Sequence, residues 1–193
     1  MSQILEFGVL TKLVKMVKSN SVEEATKALY AVSALTRNNL DGQELFYAAA
    51  GDLMLQDILS NSSIDIRLRR KSAFLVGDLV ECQLESTNKP ELPFFSNRFF
   101  LKTLVDLTAS TDLDLQEKAL MAIKSLLRVG TTDALVLKDF CGLDGALERM
   151  GKQLQQLMAE EYQSDYMKDM ESLRIEVELI FHRQLEKVTW VPT

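Results

Sequence analysis

Histidine and tryptophan each occur once in this 193-residue chain, cysteine twice, proline three times and glycine eight times. Each scarcity excludes something. His182 stands alone in a helical stretch, remote in sequence from Cys82 and Cys141. No Cys–His pair and no zinc-type ligand set is therefore spelled out, and no metal is expected. GDL at 51–53 and again at 77–79 lacks the following glycines and the lysine of a phosphate-binding loop. No GxSxG occurs, and the acidic pairs Glu23/Glu24 and Glu160/Glu161 fall on polar helical faces. Neither a catalytic centre nor a cofactor is expected. The two cysteines are enough for one bridge, but nothing requires one, and their apolar contexts suit small buried side chains.

Long apolar runs and excess positive charge are missing too. No stretch of about 18 apolar residues exists, so no membrane-spanning helix is expected. The opening MSQILEFGVLTKLVKMVKS does not read as a secretory leader, because Glu6 breaks its apolar part and Lys12, Lys15 and Lys18 follow it. The net charge of -6 argues against nucleic acid, whose phosphates call for concentrated Lys and Arg. The one dense basic cluster, RLRRK at 67–71, reads first as the solvated start of a helix and second as a contact for a partner.

What the chain has is Leu, Ala and Met, with only short β-branched runs, a composition that favours helix. Set against itself, it repeats. KALYAVSALTRNN (27–39), KSAFLVGDL (71–79) and KALMAIKSL (118–126) align at Lys27, Lys71 and Lys118, offset by 44 and 47 residues. Leu29, Ala73 and Leu120 then match, as do Val32, Val76 and Ile123, and Leu35, Leu79 and Leu126. This spacing marks one buried stripe per helix. A shorter apolar helix precedes each copy: GVLTKLVKMVK (8–18), GDLMLQDILS (51–60) and FFLKTLVDLT (99–108). Ser21 with Glu24 and Asp114 with Glu117 have capping-box spacing, and Asp65 is placed to cap the middle copy.

A period in the forties with two or three helices per unit is that of armadillo and HEAT repeats. The expected fold is all-α, an armadillo/HEAT-like right-handed superhelix of about four repeats in a single domain. Its repeats fall near 5–40, 44–85, 98–130 and 133–163, the last beginning at FCGLDGALERM (140–150). STNKPELPFFSN (86–97) holds two of the three prolines and reads as a loop, with Phe94 and Phe95 folding back onto the core. A polar helical stretch covers 152–163. A capping helix follows at about 166–187, burying Met170, Leu173, Val177, Ile180 and Leu185, and then a tail with Trp190 and Pro192. Ala28, Ala31, Ala119 and Ala122 would let neighbouring helices come close.

With no chemistry in view, function falls to the surface. Beside the buried stripe runs a ladder on the last helix of each repeat, the helix that lines the concave side of such a superhelix. Its rungs are Tyr30, Phe74 and Met121; Ala34, Asp78 and Ser125; and Arg37, Glu81 and Arg128. Aromatic and Met positions among mixed charges suit a protein partner. Packing between repeats would place Tyr30 and Phe74 equally well. An extended-peptide groove would need a regular row of Asn and Trp, which the rungs lack.

KALYAVSALTRNN, then GQELFYAAAGDLMLQDIL with its Phe46 and Gly51, then RRKSAFLVGDL, is a string that resembles the armadillo-type nucleotide exchange factors of seventy-kilodalton heat-shock chaperones. The likeness covers about residues 5–130. It implies a non-enzymatic co-chaperone that embraces one lobe of the chaperone's nucleotide-binding domain and speeds ADP release. On matching positions it implies partner contacts at Lys27, Tyr30, Arg37, Arg70, Lys71, Phe74, Asp78, Lys118 and Met121. It implies a monomer on its own, without nucleic acid or membrane insertion. The loop at 86–97 and the long last helix look like the branch of the endoplasmic reticulum lumen; the alternative is the cytoplasmic branch. Family members also carry a leading segment and a further repeat. The competing expectation is an armadillo-type peptide- or protein-binding scaffold without exchange activity.

Overall fold

The computed structural model describes residues 3–84, 93–129, 134–160 and 165–189. All its elements are helical, and no strand occurs among the described residues. The chain divides into two compact units, Met1–Phe94 and Phe95–Thr193. No helix among the described residues is long and apolar enough to cross a membrane.

The first unit holds α1 (Gln3–Val17), α2 (Val22–Thr36), α3 (Leu40–Ala48), α4 (Gly51–Ser60) and α5 (Ile66–Leu84). The repeated stripes lie on α2 and α5, which pack together. Leu29, Val32, Ala73, Val76 and Leu79 are buried, and Leu35 is half-buried one residue before α2 ends. Each fully buried Leu or Val in such a stripe contributes about 2 kcal/mol. Ala28 is buried with them and Ala31 is half-buried. Pro93–Ser96 forms a 3-10 turn in which Phe94 and Phe95 are both buried, as expected, with the Phe94 ring stacked on Tyr47 at 6.2 Å. Residues 86–92 of the expected loop lie outside the described residues.

The caps refine what the spacing implied. Ser21 Oγ accepts from the Glu24 N–H at 3.3 Å, one half of the expected box. The return half is relayed: the Ser19 hydroxyl accepts from the Ser21 N–H and donates to the Glu24 carboxylate. Asp65 accepts from the Arg67 N–H at 2.9 Å at the start of α5. On α7 (Leu113–Val129) the expectation of Asp114 is corrected. Asp112 is the residue that accepts from the Leu115 N–H, at 2.8 Å, while Asp114 sits inside the first turn and pairs with Lys118.

The expected helix at 51–60 is α4, while α3 ahead of it has no counterpart among the expected helices. They are divided by a left-handed residue, Ala50, with φ +60°. The next residue, Gly51, lies against the fully buried ring of Phe46. A methyl group there would stand 2.2 Å from that ring.

The second unit holds α6 (Arg98–Leu107), α7, a π-helical turn (Val136–Phe140), α8 (Leu143–Glu160) and α9 (Asp165–Thr189). Leu120, Ile123 and Leu126 are buried on α7 with Ala119 and Ala122. Against it packs α9, tied by Gln184 donating to the Leu127 carbonyl at 3.0 Å and by Lys124 paired with Glu176 at 2.8 Å. The polar stretch from 152 is helical as expected and forms the second half of α8; residues 161–163 lie outside the described set. On α9, Met170 and Val177 are buried as expected. Leu173, Ile180 and Leu185 are only half-buried, and Phe181 completes the buried row instead. Steps of seven and four residues keep 170, 177 and 181 on one line of a straight helix, from which the others are rotated away. Trp190 and Pro192 lie outside the described residues.

Cys82 and Cys141 are both buried. Burial pushes the Cys141 thiol up to about 11. Two outcomes follow. At pH 8 native Cys141 should react with iodoacetamide about two orders of magnitude more slowly than an ordinary exposed cysteine, because so little thiolate exists. Mass spectrometry after timed quenching measures this. Gly51→Ala should lower stability by about 3 kcal/mol, since the Phe46 ring has nowhere to go. Urea unfolding followed by circular dichroism measures that.

Candidate functional site: an aromatic and cationic ridge on α2 and α5

The positions that flank the stripes of α2 and α5 meet at the surface of the first unit. Tyr30 is 54% exposed and Phe74 38% exposed. Both are too open to be packing between helices alone. Each carries a cation supplied by the other helix. Lys71 Nζ of α5 sits 3.4 Å from the centroid of the Tyr30 ring on α2. Arg37, the residue that ends α2, lies over the Phe74 ring of α5 at 5.9 Å. The same guanidinium donates through Nε (3.1 Å) and an Nη (2.8 Å) to one oxygen of the half-buried Asp78 carboxylate.

The repeat explains this interlock. Tyr30 and Phe74 occupy the same rung one period apart. The residue opening the second copy reaches back to the first aromatic, and the residue closing the first copy reaches forward to the second. Cation–π contacts at exposed sites are each worth about 0.5–1 kcal/mol. Their larger consequence is order, because they hold two long cationic side chains and two rings in one arrangement before any partner arrives.

The other expected contact residues fall as follows. Lys27 is exposed one turn before Tyr30 and pairs with Glu23 at 2.6 Å. Arg70 is half-buried next to Lys71. Of the basic cluster, Arg67 is turned back onto Asp65 at 3.0 Å and Arg69 donates to the Leu59 carbonyl at 3.2 Å. Those two serve the start of α5, and Lys71 lies on the ridge. In the second unit Lys118 pairs with Asp114, and Met121 is 42% exposed in the register of Tyr30 and Phe74. Of the middle rungs, Ala34 is exposed, Asp78 is held by Arg37, and Ser125 is buried.

The ridge offers no chemistry. Among the described residues no three His, Cys, Asp or Glu side chains are grouped so as to hold a metal ion. A cleft of about 460 Å³ does open elsewhere in the unit, between Val17–Val22 and Ser63–Leu68. Lys18 and Asp57, paired at 2.7 Å, lie along it. It holds none of the expected contact residues.

The Arg37–Asp78 pair is exposed enough that its value to folding is small. A double-mutant cycle of Arg37→Ala and Asp78→Ala, read by urea unfolding, should give a coupling near 0.5 kcal/mol. A coupling above about 1.5 kcal/mol would make the pair part of the fold rather than of its surface.

No protein-family model matches the chain. Two crystal structures of engineered proteins share its fold. One superposes with a TM-score of 0.60 at 16% identity, covering 91% of this chain and 63% of the other. The second gives 0.54 at 13%, covering 90% and 47%. In sequence the chain is similar to Nucleotide exchange factor SIL1 of Xenopus laevis, with 29% identity over 124 residues, 64% of this chain. The matched stretch spans only about a quarter of that relative, 26% of its length.

Proposed function

We propose that this chain is a co-chaperone, an adenyl-nucleotide exchange factor that binds the nucleotide-binding domain of a seventy-kilodalton heat-shock chaperone and promotes ADP release. The observation that carries this reading is the 124-residue similarity to a nucleotide exchange factor. The ridge of Tyr30, Lys71, Arg37, Phe74 and Asp78 gives the reading a surface. Lys27, Arg70, Lys118 and Met121 join the reading on their matching positions in the sequence alone. The compartment that goes with the resemblance is the endoplasmic reticulum lumen.

The work such a factor does is conformational. It binds the chaperone more tightly with the nucleotide cleft open than closed, and the difference in binding free energy is what shifts the cleft. Nucleotide and factor must then oppose each other equally: whatever the factor subtracts from ADP affinity, ADP subtracts from the factor's. Rings and cations that are already ordered suit this task, because little entropy is lost on docking.

Stopped-flow release of a fluorescent ADP from the chaperone tests the reading. Micromolar chain should accelerate release, and excess ADP should displace the chain. Tyr30→Ala and Phe74→Ala should each weaken binding by about 2 kcal/mol, roughly thirtyfold, with the fold intact. Release rates that do not change with added chain would refute the function. Exchange that survives both substitutions would move the surface elsewhere. Capture of extended peptides in place of the folded domain would favour the armadillo-type scaffold.

A further inference from the structure

The second unit carries an aromatic cluster that the exchange function does not use. Phe99, in the first turn of α6, is 59% exposed, and Phe140, at the end of the π-helical turn, is 39% exposed. Their rings meet edge to face, 5.6 Å between centroids and 85° between planes. The Arg98 guanidinium lies 5.0 Å from the centroid of each ring. Among the described residues it forms no ion pair and no hydrogen bond. Close by in sequence, Phe100, Leu101, Leu137 and Cys141 are all buried.

Nothing in folding asks for this arrangement. A cation in the first turn of a helix meets the positive end of its dipole, so Arg98 works against α6. Two open rings expose apolar surface that burial would have used. A single-turn π segment is a known device for displacing side chains at functional positions, and here it ends on Phe140. Arginine and aromatic rings are the residue types that carry most binding energy in interfaces.

The charge selects the occupant. Lys102 is matched within its own helix by Asp106, and the neighbours of Phe140, Lys138 and Asp139, carry opposite charges. Among the described residues Arg98 is left as the unpaired charge of the cluster, on a chain whose net charge is -6. A second cation on the rings would be repelled, whereas a carboxylate could take the open guanidinium fork while its apolar neighbours cover the rings. We propose that Arg98, Phe99 and Phe140 form a second docking site, for an acidic peptide segment of another protein whose Asp or Glu is flanked by aromatic or aliphatic side chains. The site stands independently of the exchange function.

Fluorescence anisotropy with the full chain and two labelled peptides of about twelve residues decides the matter. One peptide alternates Asp and Glu with Phe and Leu; the other has Lys at every acidic position. The acidic peptide should bind saturably, with a Kd of about tens of micromolar, and at least about tenfold more tightly than the basic one. Arg98→Glu should weaken it about tenfold or more, and so should Phe99→Ala combined with Phe140→Ala. Arg98→Glu also relieves the helix dipole, and an unchanged circular-dichroism melt separates its loss of binding from unfolding, so it decides alone if the double variant does not fold. Equal binding of both peptides, no saturable binding, or variants that bind as well as the parent would each overturn the proposal. So would self-association of the chain, by sedimentation, that the double variant abolishes, since the rings would then serve a second copy.

Discussion

Where α2 meets α5, Leu29, Val32, Ala73, Val76 and Leu79 leave water together, and everything on the outside of the first unit is positioned by that burial. Small side chains on this face let the two helices come near each other. Their nearness brings the flanking residues of one helix within reach of the other. Lys71 can find the Tyr30 ring, and Arg37 both Phe74 and Asp78, only because the stripe between them is narrow. The ridge is thus an outcome of core packing rather than a feature added to it. In the second unit the same stripe turns Met121 outward from beside Leu120 and Ala122.

This dependence divides two kinds of energy. The stripes hold the fold, at about 2 kcal/mol for each large side chain removed from water. The contacts on the ridge are individually small, because water and salt compete with every one of them. Their collective effect is to restrict four side chains that would otherwise sample many rotamers. A surface so restricted gives up little to folding and gains in recognition, since the entropy of ordering it is settled before a partner is met.

How much of this could be read in advance follows from which interactions are local. The helical class and the stripes were legible, because 29, 32, 73, 76, 79, 120, 123 and 126 obey a period that only a helix buries. Phe94 and Phe95 returning to the core was legible from a proline-bounded apolar pair. The start of α4 at 51 was legible, but the left-handed Ala50 that divides it from α3 was not, since its sequence does not announce that conformation. Nor were the partners of the ridge cations, because a 41-residue separation such as that of Arg37 and Asp78 is invisible to periodicity. Whether Tyr30 and Phe74 faced water was undecidable for the same reason: a position beside a stripe is covered or not according to its neighbours. Phe99 gave no signal because FF in FFLKTLVDLT reads as one apolar run, although its first ring is exposed and its second buried, and Phe140 gave none because the ring it meets is 41 residues away.

The close fit of Gly51 against Phe46 has a bearing on how the chain can vary over time. The two positions are not independent sites. A side chain at 51 crowds the ring at 46, while loss of the ring alone leaves a void that only a larger residue at 51 could fill. Change must therefore pass through an intermediate that is either overpacked or hollow, and of the two the hollow one keeps the backbone in place. Among descendants of this chain, substitution at 46 should precede substitution at 51, and the first without the second should mark lineages caught midway.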